Sequence, residues 1–432
     1  MKIRLKIDNG LENVLKIQEM FGISESNFKE IRFPEEVDKI KDSNITFITG
    51  PSGSGKTSLG KYIKEKLGYV ENNMYFDKQK PIIDSLSGSF RQTLYYLNMV
   101  GLAEAFIYLT PYLHLSEGQK FRFEMAYILS QGKDYILIDE FCSLLDRETA
   151  KIVSYNLQKI IRKFNKHIIV ISSHKDIVNF LSPDILVEFD DYGNSNLQQF
   201  SKIELFDIYK LFKVKEGNYD EFKLLERFHY FGNVTHNTLK RRNAKYYSLY
   251  KDEKLMGILV TTSPYPKDNN ELEREFVEIN DNIRIIFRLI LHPKVRGIGI
   301  TRFLYNEVLK EEKSILFLRS ALAKKYPFPQ KLNMTKVNYD NILSFQEYQM
   351  MLNIKKYSCK KSFQFGRYIL SKMMFRDFVK YNNIMGTKTS GNINIYFFYK
   401  IIKNVFPKND DLDLLENVIK PVEMEDYYFD NR

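Results

Sequence analysis

The chain has 432 residues, two cysteines and a formal net charge of +11. At roughly 150 residues per domain, this length predicts two or three domains whose core needs no disulfide. Cys142 and Cys359 lie far apart and form no paired metal-binding motif, which also argues against a zinc site. No apolar run reaches the ~18–20 residues of a membrane-spanning helix, and the start of the chain lacks the apolar stretch of a signal peptide. We therefore expect a cytoplasmic protein with no membrane partner.

The positive charge is concentrated in the second half of the chain. Residues 1–200 hold 25 Lys and Arg against 26 Asp and Glu, whereas residues 201–432 hold 40 against 28. Residues 331–400 alone hold 12 basic and 3 acidic side chains, interleaved with aromatic ones. This composition is compatible with contact with DNA or RNA, because rings can stack on bases while cations neutralise phosphates. The alternative, which we favour for most of these aromatic side chains, is an amphipathic helical segment with buried rings and exposed lysines.

Short apolar strands alternate with helical segments in the first 200 residues. The predicted elements are strands at Lys2–Ile7, Ile45–Thr49, Tyr135–Ile138 and His167–Ile171 and a helix at Ala150–Phe164. This alternation predicts a parallel sheet flanked by helices. The polar segment 190–196 indicates a boundary zone after that sheet.

A glycine-rich loop follows the strand Ile45–Thr49 and matches the pattern G-x-x-x-x-G-K-[ST]. Its glycines let backbone N–H groups converge on phosphate oxygens, and a helix beginning near Lys56 adds the positive end of its dipole. We expect Lys56 to reach the β- and γ-phosphates and Thr57 to bind Mg²⁺. The predicted nucleotide-binding residues of the loop are Gly50, Ser52, Gly53, Ser54, Gly55, Lys56, Thr57 and Ser58.

Two acidic residues follow the strand Tyr135–Ile138. Asp139 is placed to hold Mg²⁺, and Glu140 is placed to polarise an attacking water molecule. An apolar strand that ends in acids is common by itself. Beside the lysine loop, it predicts the second half of a nucleoside triphosphatase site.

The segment Leu115–Gln119, with the sequence LSEGQ, resembles the signature motif of the ATP-binding-cassette (ABC) ATPases. The order of the other elements resembles that family as well. The acids come next, Ser143–Asp146 resembles the D-loop, and His174 stands at the position of the switch histidine. A Ser-x-Gly turn before a helix is by itself only a helix cap, but five elements in the family's order favour the family.

The resemblance implies a mechanism in which two cassettes act together. The signature of one cassette closes over ATP held by the phosphate loop of the other, so one chain with one cassette implies a homodimer with two sandwiched ATP molecules. Lys56, Glu140 and His174 are the implied catalytic residues, with His174 sensing the γ-phosphate within its own chain. The implied ATP contacts from the second copy are Ser116, Gly118, Gln119 and Asp146.

Some features depart from the family pattern. Only 60 positions separate Lys56 from Ser116, which implies a reduced helical arm and a non-transport cassette. The usual glutamine loop is not obvious. Gln79 is the candidate, as a further metal ligand, with Gln92 behind it, and Phe33 is the candidate for stacking on adenine.

The second half contains a different set of elements. A hairpin is predicted from Tyr246–Tyr250 and Leu255–Thr262. Two more strands are predicted at Arg284–Leu291 and Ser314–Leu318, with a helix at Ile300–Glu312 between them. These elements predict a mixed α/β domain.

The segment between Arg284–Leu291 and the next helix resembles the acyl-CoA-binding turn, R-x-x-G-x-[GA], of the GNAT acyltransferases. Arg296 and Gly299 match that pattern, whereas Thr301 departs from its last position. The implied acyl-CoA ligands are Arg296, Gly297, Gly299 and Thr301. Candidate proton acceptors are Glu275 and Glu278, and the candidate proton donor is Tyr326. The alternative is a strand–helix unit whose glycines only permit a tight turn.

Together these features predict an α/β protein of three parts. A P-loop ABC-type ATPase domain (1–204) is followed by a GNAT-like mixed α/β domain (205–340) and a helical, basic and aromatic C-terminal extension (341–432). This order resembles a family of ABC-type ATPases fused to a predicted acetyltransferase domain.

The resulting hypothesis is that ATP-dependent dimerisation controls an N-acyltransferase. It would use ATP, Mg²⁺ and acetyl-CoA or another acyl-CoA, and would act on nucleic acid or a modified base. Two alternatives stay open: a protein N-acetyltransferase, and an ATP-switched nucleic-acid-binding protein with an inactive GNAT fold.

Overall fold

The computed structural model describes residues 2–4, 11–23, 28–30, 34, 36–71, 75–229, 234–263, 280–320, 322–324, 326–336 and 425–431. They divide into two compact units. The first is drawn from Met1–Ile208 together with Lys294–Ile298, and the second from Tyr209–Pro293 together with Gly299–Arg432. The five residues Lys294–Ile298 thus belong to the first unit, although the sequence places them far beyond its other residues.

The first unit contains a six-stranded sheet in the order β4-β5-β6-β3-β7-β8. Its neighbouring strands are parallel, except that β8 is antiparallel to β7. A separate antiparallel pair is formed by β1 and β2. The strands are β1 (Lys2–Arg4), β2 (Phe28–Glu30), β3 (Ile45–Thr49), β4 (Val70–Glu71), β5 (Tyr135–Ile138), β6 (His167–Ile171), β7 (Ile185–Phe189) and β8 (Ser195–Gln199).

Helices cover both faces of this sheet. In the central strand β3, Ile45 and Phe47 belong to one buried cluster and Ile48 to another, so both faces of this fully buried strand pack against apolar side chains. The helices of this unit are α1 (Glu12–Phe21), α2 (Lys56–Leu67), α3 (Phe90–Met99), α4 (Ala105–Tyr108), α5 (Glu117–Ser130), α6 (Arg147–Lys163) and α7 (Val178–Leu181).

The predicted strands β3, β5 and β6 are confirmed with the bounds expected from the sequence. The predicted helix Ala150–Phe164 begins earlier, at Arg147, because Asp146 caps it. The prediction of a boundary at residues 190–196 is wrong. These residues lie at the turn of the β7–β8 hairpin, where the Asp190 carboxylate accepts backbone N–H groups from Tyr192 and Asn194.

The second unit contains a seven-stranded mixed sheet in the order β14-β15-β13-β12-β11-β10-β9. Strands β9 to β12 are antiparallel neighbours, whereas β12 and β13 are parallel and α10 lies between them in sequence. The elements are β9 (Phe212–Glu216), α8 (Tyr219–Glu226), α9 (His236–Arg241), β10 (Lys245–Lys251), β11 (Lys254–Thr262), β12 (Ile283–Leu291), α10 (Ile300–Glu311), β13 (Ile315–Ser320), β14 (Thr335–Lys336) and β15 (Glu425–Asp430). The predicted hairpin, the helix and the two strands around it are confirmed.

One part of the predicted C-terminal extension differs from expectation. Residues Glu425–Asp430 form β15, which is paired with β13 on one side and β14 on the other. Tyr427 is buried there and Phe429 is half-buried, and residues two positions apart lie on the same face of a strand.

Several sequence predictions lie outside the described residues. They include Glu275, Glu278, Phe33 and most of the basic extension 341–432. Within the ranges that are described, no helix is long and apolar enough to cross a membrane.

Candidate nucleotide site

The phosphate loop Gly50–Thr57 joins the end of β3 to the start of α2. Gly50 and Gly55 both adopt positive φ angles, of 146° and 106°. A Cβ atom on Gly50 would lie 2.7 Å from the carbonyl oxygen of Phe189, so the chain passes too close for a side chain there. Gly55 takes the left-handed conformation immediately before the helix, which is the geometry that turns the loop into α2.

Lys56 is folded back onto its own loop. Its Nζ donates hydrogen bonds to the carbonyl oxygens of Gly50, at 2.8 Å, and Pro51, at 2.5 Å. Burial lowers the pKa of Lys56, and the negative charge of Asp139 partly opposes that shift. The buried hydroxyl of Ser54 has no hydrogen-bond partner among the described residues. An unpartnered donor beside a lysine in a glycine loop fits a phosphate ligand.

The two acids lie at the carboxyl end of β5, which in this parallel sheet is the same edge as the end of β3. Asp139 and Glu140 are both exposed, and the Glu140 N–H donates to Asp139 Oδ1 at 2.8 Å. Glu140 adopts a positive φ of 52°, a conformation that costs a non-glycine residue free energy and is enriched at functional sites. The hydroxyl of Thr57 and the carboxylate of Asp139 are oxygen donors of the kind that Mg²⁺ prefers.

The loop that carries His174 follows β6 at this same edge. Its backbone is fixed by two hydrogen bonds, from the Ser172 N–H to the Ile48 carbonyl (3.0 Å) and from the His174 N–H to Ser172 Oγ (3.3 Å). The loop is joined to the start of α6 by an ion pair in which Arg147 Nε lies 3.0 Å from Asp176 Oδ2. That hydrogen-bonded guanidinium lowers the pKa of Asp176. No sequence motif records this pair, whose members are 29 positions apart.

Ser116 is the N-cap of α5 and takes part in a capping box. The Gln119 N–H donates to Ser116 Oγ at 3.4 Å, and the Ser116 N–H donates to Gln119 Oε1 at 2.9 Å. The helix-cap interpretation of this turn therefore describes its present hydrogen bonds correctly. A Cβ on Gly118 would lie 3.4 Å from the Thr149 methyl group, which places the signature turn directly against the first turn of α6.

The D-loop segment ends in the N-cap of α6. Asp146 Oδ1 accepts from the Thr149 N–H at 3.0 Å, and its other oxygen accepts from the Thr149 hydroxyl at 2.7 Å. Burial raises the pKa of Asp146, but the hydrogen bonds from Thr149 and Lys294 outweigh it and hold the pKa below its usual value. Leu144, two residues earlier, is 78% exposed, and so large an exposed apolar side chain indicates a contact surface.

Gln79 lies on an exposed turn in which its N–H donates to Asp77 Oδ1 at 2.9 Å. The chain beside this turn is hydrogen-bonded to the segment that leads into Ser116, through Ile82 N–H to the Thr110 carbonyl at 3.1 Å. Gln79 thus lies near the segment of the chain that leads into Ser116. Gln92, the second candidate, serves instead in the capping box of α3 with Ser89.

The predicted acyl-CoA turn has two parts with different surroundings. Gly299 adopts a φ of 92° and is the N-cap of α10, with Thr301 in the first helical turn. The Arg296 side chain is 9% exposed and forms an ion pair with Glu104 of the first unit. The Gly297 carbonyl accepts a hydrogen bond from Lys159 Nζ at 2.6 Å. Arg296 is therefore neutralised by a carboxylate in this structure.

Comparisons with known proteins found similar proteins over part of the chain. No protein-family model matches the chain. An alignment of 236 positions, which covers 42% of this chain and 77% of the relative, shows 28% identity to the energy-coupling factor transporter ATP-binding protein EcfA2 of Spiroplasma kunkelii.

Two solved structures have similar coverage. One is the dimeric structure of MJ0796, a bacterial ABC transporter cassette, at 17% identity over 41% of this chain and 90% of that chain, with a TM-score of 0.30. The other is cbiO1 from Clostridium perfringens, part of the ABC transporter complex cbiONQ, at 17% identity over 40% and 80%, with a TM-score of 0.30. By the sequence similarity to EcfA2, the chain is homologous to ABC ATPase cassettes over about 40% of its length.

Proposed function

We propose that the chain is an ABC-class ATPase in which two copies sandwich two ATP molecules. The observation that carries this proposal is the meeting of three loops at one edge of the parallel sheet. The phosphate loop follows β3, the acids follow β5 and the His174 loop follows β6. Ligands of parallel α/β sheets bind at this edge, outside the carboxyl ends of the strands.

Each functional residue of these three loops would have its own role in ATP hydrolysis. Lys56 would exchange its backbone acceptors for phosphate oxygens and hold the β- and γ-phosphates. Mg²⁺ held by Thr57 and Asp139 would neutralise charge on those phosphates. Glu140 would accept a proton from the attacking water, and His174 would donate a hydrogen bond to the γ-phosphate.

The need for a second copy follows from the signature turn. Ser116 is exposed at the N-terminus of the 14-residue helix α5, where backbone N–H groups favour an anion. The adjacent D-loop exposes Leu144. A second copy would present this turn to ATP held by the first, and Ser116 and Gly118 would contact its γ-phosphate.

The test is the substitution Glu140→Gln, with Glu65→Gln on the exposed face of α2 as its control. Without the base, ATP turnover should fall by roughly 100-fold or more, while ATP binding persists and an ATP-dependent dimer accumulates. Turnover assays and sedimentation velocity with ATP and Mg²⁺ measure both quantities. Full turnover by Glu140→Gln, or a protein that stays monomeric with ATP, would contradict the proposal.

We propose an acyl-CoA-dependent function for the second unit as a second candidate. Its support is the pairing of the central strands: the β12–β13 ladder joins Ile283–Ile285 to Ile315–Phe317, whereas the β11–β12 ladder extends to Leu291. The last part of β12 thus lies outside the β12–β13 ladder. That strand edge suits the amides of a pantetheine chain, and the N-terminus of α10 suits a pyrophosphate.

The amine that accepts the acyl group belongs either to a base in nucleic acid or to a protein side chain. The charge excess of residues 201–432 supports nucleic acid. Calorimetry with acetyl-CoA should show binding that Thr301→Glu weakens at least about 10-fold, since a carboxylate there would repel phosphate. The exposed Thr335→Glu is the matched control. Absence of acetyl-CoA binding, with DNA or RNA binding intact at low salt, would favour a non-enzymatic binding domain.

A further inference from the structure

The segment Lys294–Ile298 connects several elements of the first unit to one another. The sequence places it between β12 and α10, but its contacts group it with the first unit. It contacts α5, α6 and the chain between α3 and α4. None of the sequence motifs for nucleotide binding includes it.

Arg122 makes the connection to α5, the helix that begins at the signature turn. Its buried guanidinium donates from Nη1 to the Arg296 carbonyl and from Nη2 to the Lys294 carbonyl, each at 3.0 Å. Burial, together with the charge of Arg296, lowers the pKa of Arg122 to about 10, so the group stays charged at neutral pH. A planar guanidinium that bonds two carbonyls of one segment restricts both distance and direction.

The connection to α6 is made at two points. Lys294 Nζ lies 3.2 Å from Asp146 Oδ2, at the N-cap of the helix. Farther along α6, Lys159 Nζ donates to the Gly297 carbonyl at 2.6 Å. The segment is thus held against both the start and the middle of α6.

The remaining connection leaves no space for the segment to shift towards the chain after α3. A Cβ on Gly101 would lie 2.6 Å from the Arg296 carbonyl oxygen. The ion pair of Arg296 with Glu104 lies beside that contact. Close packing on this side and hydrogen bonds on the other two sides give the segment a single position.

We propose that Lys294–Ile298 is a positioning element of the nucleotide site, which fixes the signature helix α5 to the D-loop and α6 through Arg122 and Lys294. This proposal rests on the proposed ATPase function. In the sandwich, Ser116 and the D-loop of one copy must meet ATP held by the other copy together. A fixed spacing between Ser116 and the D-loop would help two copies close over ATP. It would not affect the binding of ATP to the phosphate loop.

The experiment compares Lys294→Gln with Lys310→Gln, a lysine of α10 that is also paired on the surface, with Glu307. Lys294→Gln should lower kcat by roughly 3- to 5-fold, the size expected for loss of an exposed ion pair, with the KM for ATP unchanged. Lys310→Gln should match the wild-type chain. Equal kcat values for all three proteins would overturn the proposal.

A double-mutant cycle tests whether Lys294 acts through Asp146. Asp146→Asn keeps an oxygen for the Thr149 N–H but removes the charge, so Asp146→Asn combined with Lys294→Gln should be no slower than the slower single variant. Additive losses would show that Lys294 acts elsewhere and would overturn the proposed route.

Hydrogen exchange at residues 116–119 separates this proposal from the ATPase assignment. Amide exchange there should be several-fold faster in Lys294→Gln than in Lys310→Gln. It should also be faster in Arg122→Lys than in Lys310→Gln. If the wild-type chain does not hydrolyse ATP but the variants still differ in amide exchange, the ATPase function is refuted and the positioning role is retained. Identical exchange in all variants would refute the positioning role.

Discussion

Two glycine-containing turns of this chain have similar local geometry but different surroundings. In each, a glycine with positive φ stands immediately before a 12-residue helix: Gly55 (106°) before α2 and Gly299 (92°) before α10. In the first turn, Lys56 donates to the carbonyls of its own loop. In the second, Arg296 is paired with the carboxylate of Glu104.

This difference shows that the two turns do not offer a nearby cation to phosphate in the same way. A helix N-terminus with converging N–H groups can attract an anion in both places. What distinguishes the first is a cation whose present partners are neutral carbonyls, which phosphate can replace without leaving a buried charge unpaired. At the second turn, a phosphate that recruited Arg296 would leave Glu104 without this partner, which is costly at a half-buried position.

The largest expected effect comes from removing the cation of the first turn. Lys56→Ala should reduce ATP turnover by roughly 100-fold or more, because it removes the charge that stabilises the transferring phosphoryl group. Lys61→Ala, on the exposed face of the same helix, is the control and should retain turnover. Steady-state ATPase assays measure both, and a Lys56→Ala protein with normal turnover would remove the distinction between the turns.

Removing the cation of the second turn should affect stability more than nucleotide chemistry. Arg296→Ala leaves the Glu104 carboxylate, 16% exposed, without its ion pair. The expected loss is about 3 kcal/mol in the free energy of unfolding, measured by chemical denaturation. The double variant Glu104→Leu with Arg296→Met should recover most of that loss, since neither charge then remains. An Arg296→Ala protein of full stability that fails to bind acetyl-CoA would reverse our interpretation of this turn.

The local geometry of the two turns can be compared directly. Gly55→Ala and Gly299→Ala each force a side chain into the left-handed region, at a cost of about 1–2 kcal/mol. Denaturation should therefore show similar losses, read separately for transitions that belong to the two units. ATP binding should weaken in Gly55→Ala alone. Equal weakening in both variants would mean that the two turns act in one site.

The first turn was predictable from sequence because its information is local. The glycines, Lys56 and Thr57 are neighbours in the chain, and the short, mainly apolar strand β3 before them is buried on both faces. The acids follow β5 and His174 follows β6, in the order that the family resemblance implies, and their roles in a nucleotide site stay predictions. The rule that parallel strands end at one edge then brought these loops together.

The surroundings of the second turn were not predictable in this way. Arg296 and Glu104 are 192 positions apart, and Arg122 is 174 positions from the carbonyl it contacts. No periodicity or motif records such pairs. Strand β15 carries three consecutive aromatic residues, Tyr427, Tyr428 and Phe429, and its partners β13 and β14 lie about 90 or more positions earlier.

The smallest expected effect concerns the surface ion pair that joins the His174 loop to α6. The hydrogen-bonded Arg147 holds the pKa of Asp176 below its ordinary value of 3.8. The carboxylate therefore binds its proton more weakly in the folded chain than in the unfolded one. Its contribution to stability is complete above about pH 5 and is lost as the pH falls below the unfolded value towards the folded one.

Asp176→Asn should accordingly lower the free energy of unfolding by about 0.5 kcal/mol at pH 7, a discounted value because both partners are partly exposed. The difference from wild type should shrink towards zero as the pH falls below 3.8 towards the folded-state pKa, whereas exposed Asp191→Asn should follow the wild-type curve throughout. Denaturation at a series of pH values measures this difference in stability. A difference that grows as the pH falls would contradict the lowered pKa of Asp176. The expected size is small because this charge pair is more exposed than the Arg296–Glu104 pair. Burial of the charged side chains therefore determines how much each ion pair contributes to the free energy of unfolding.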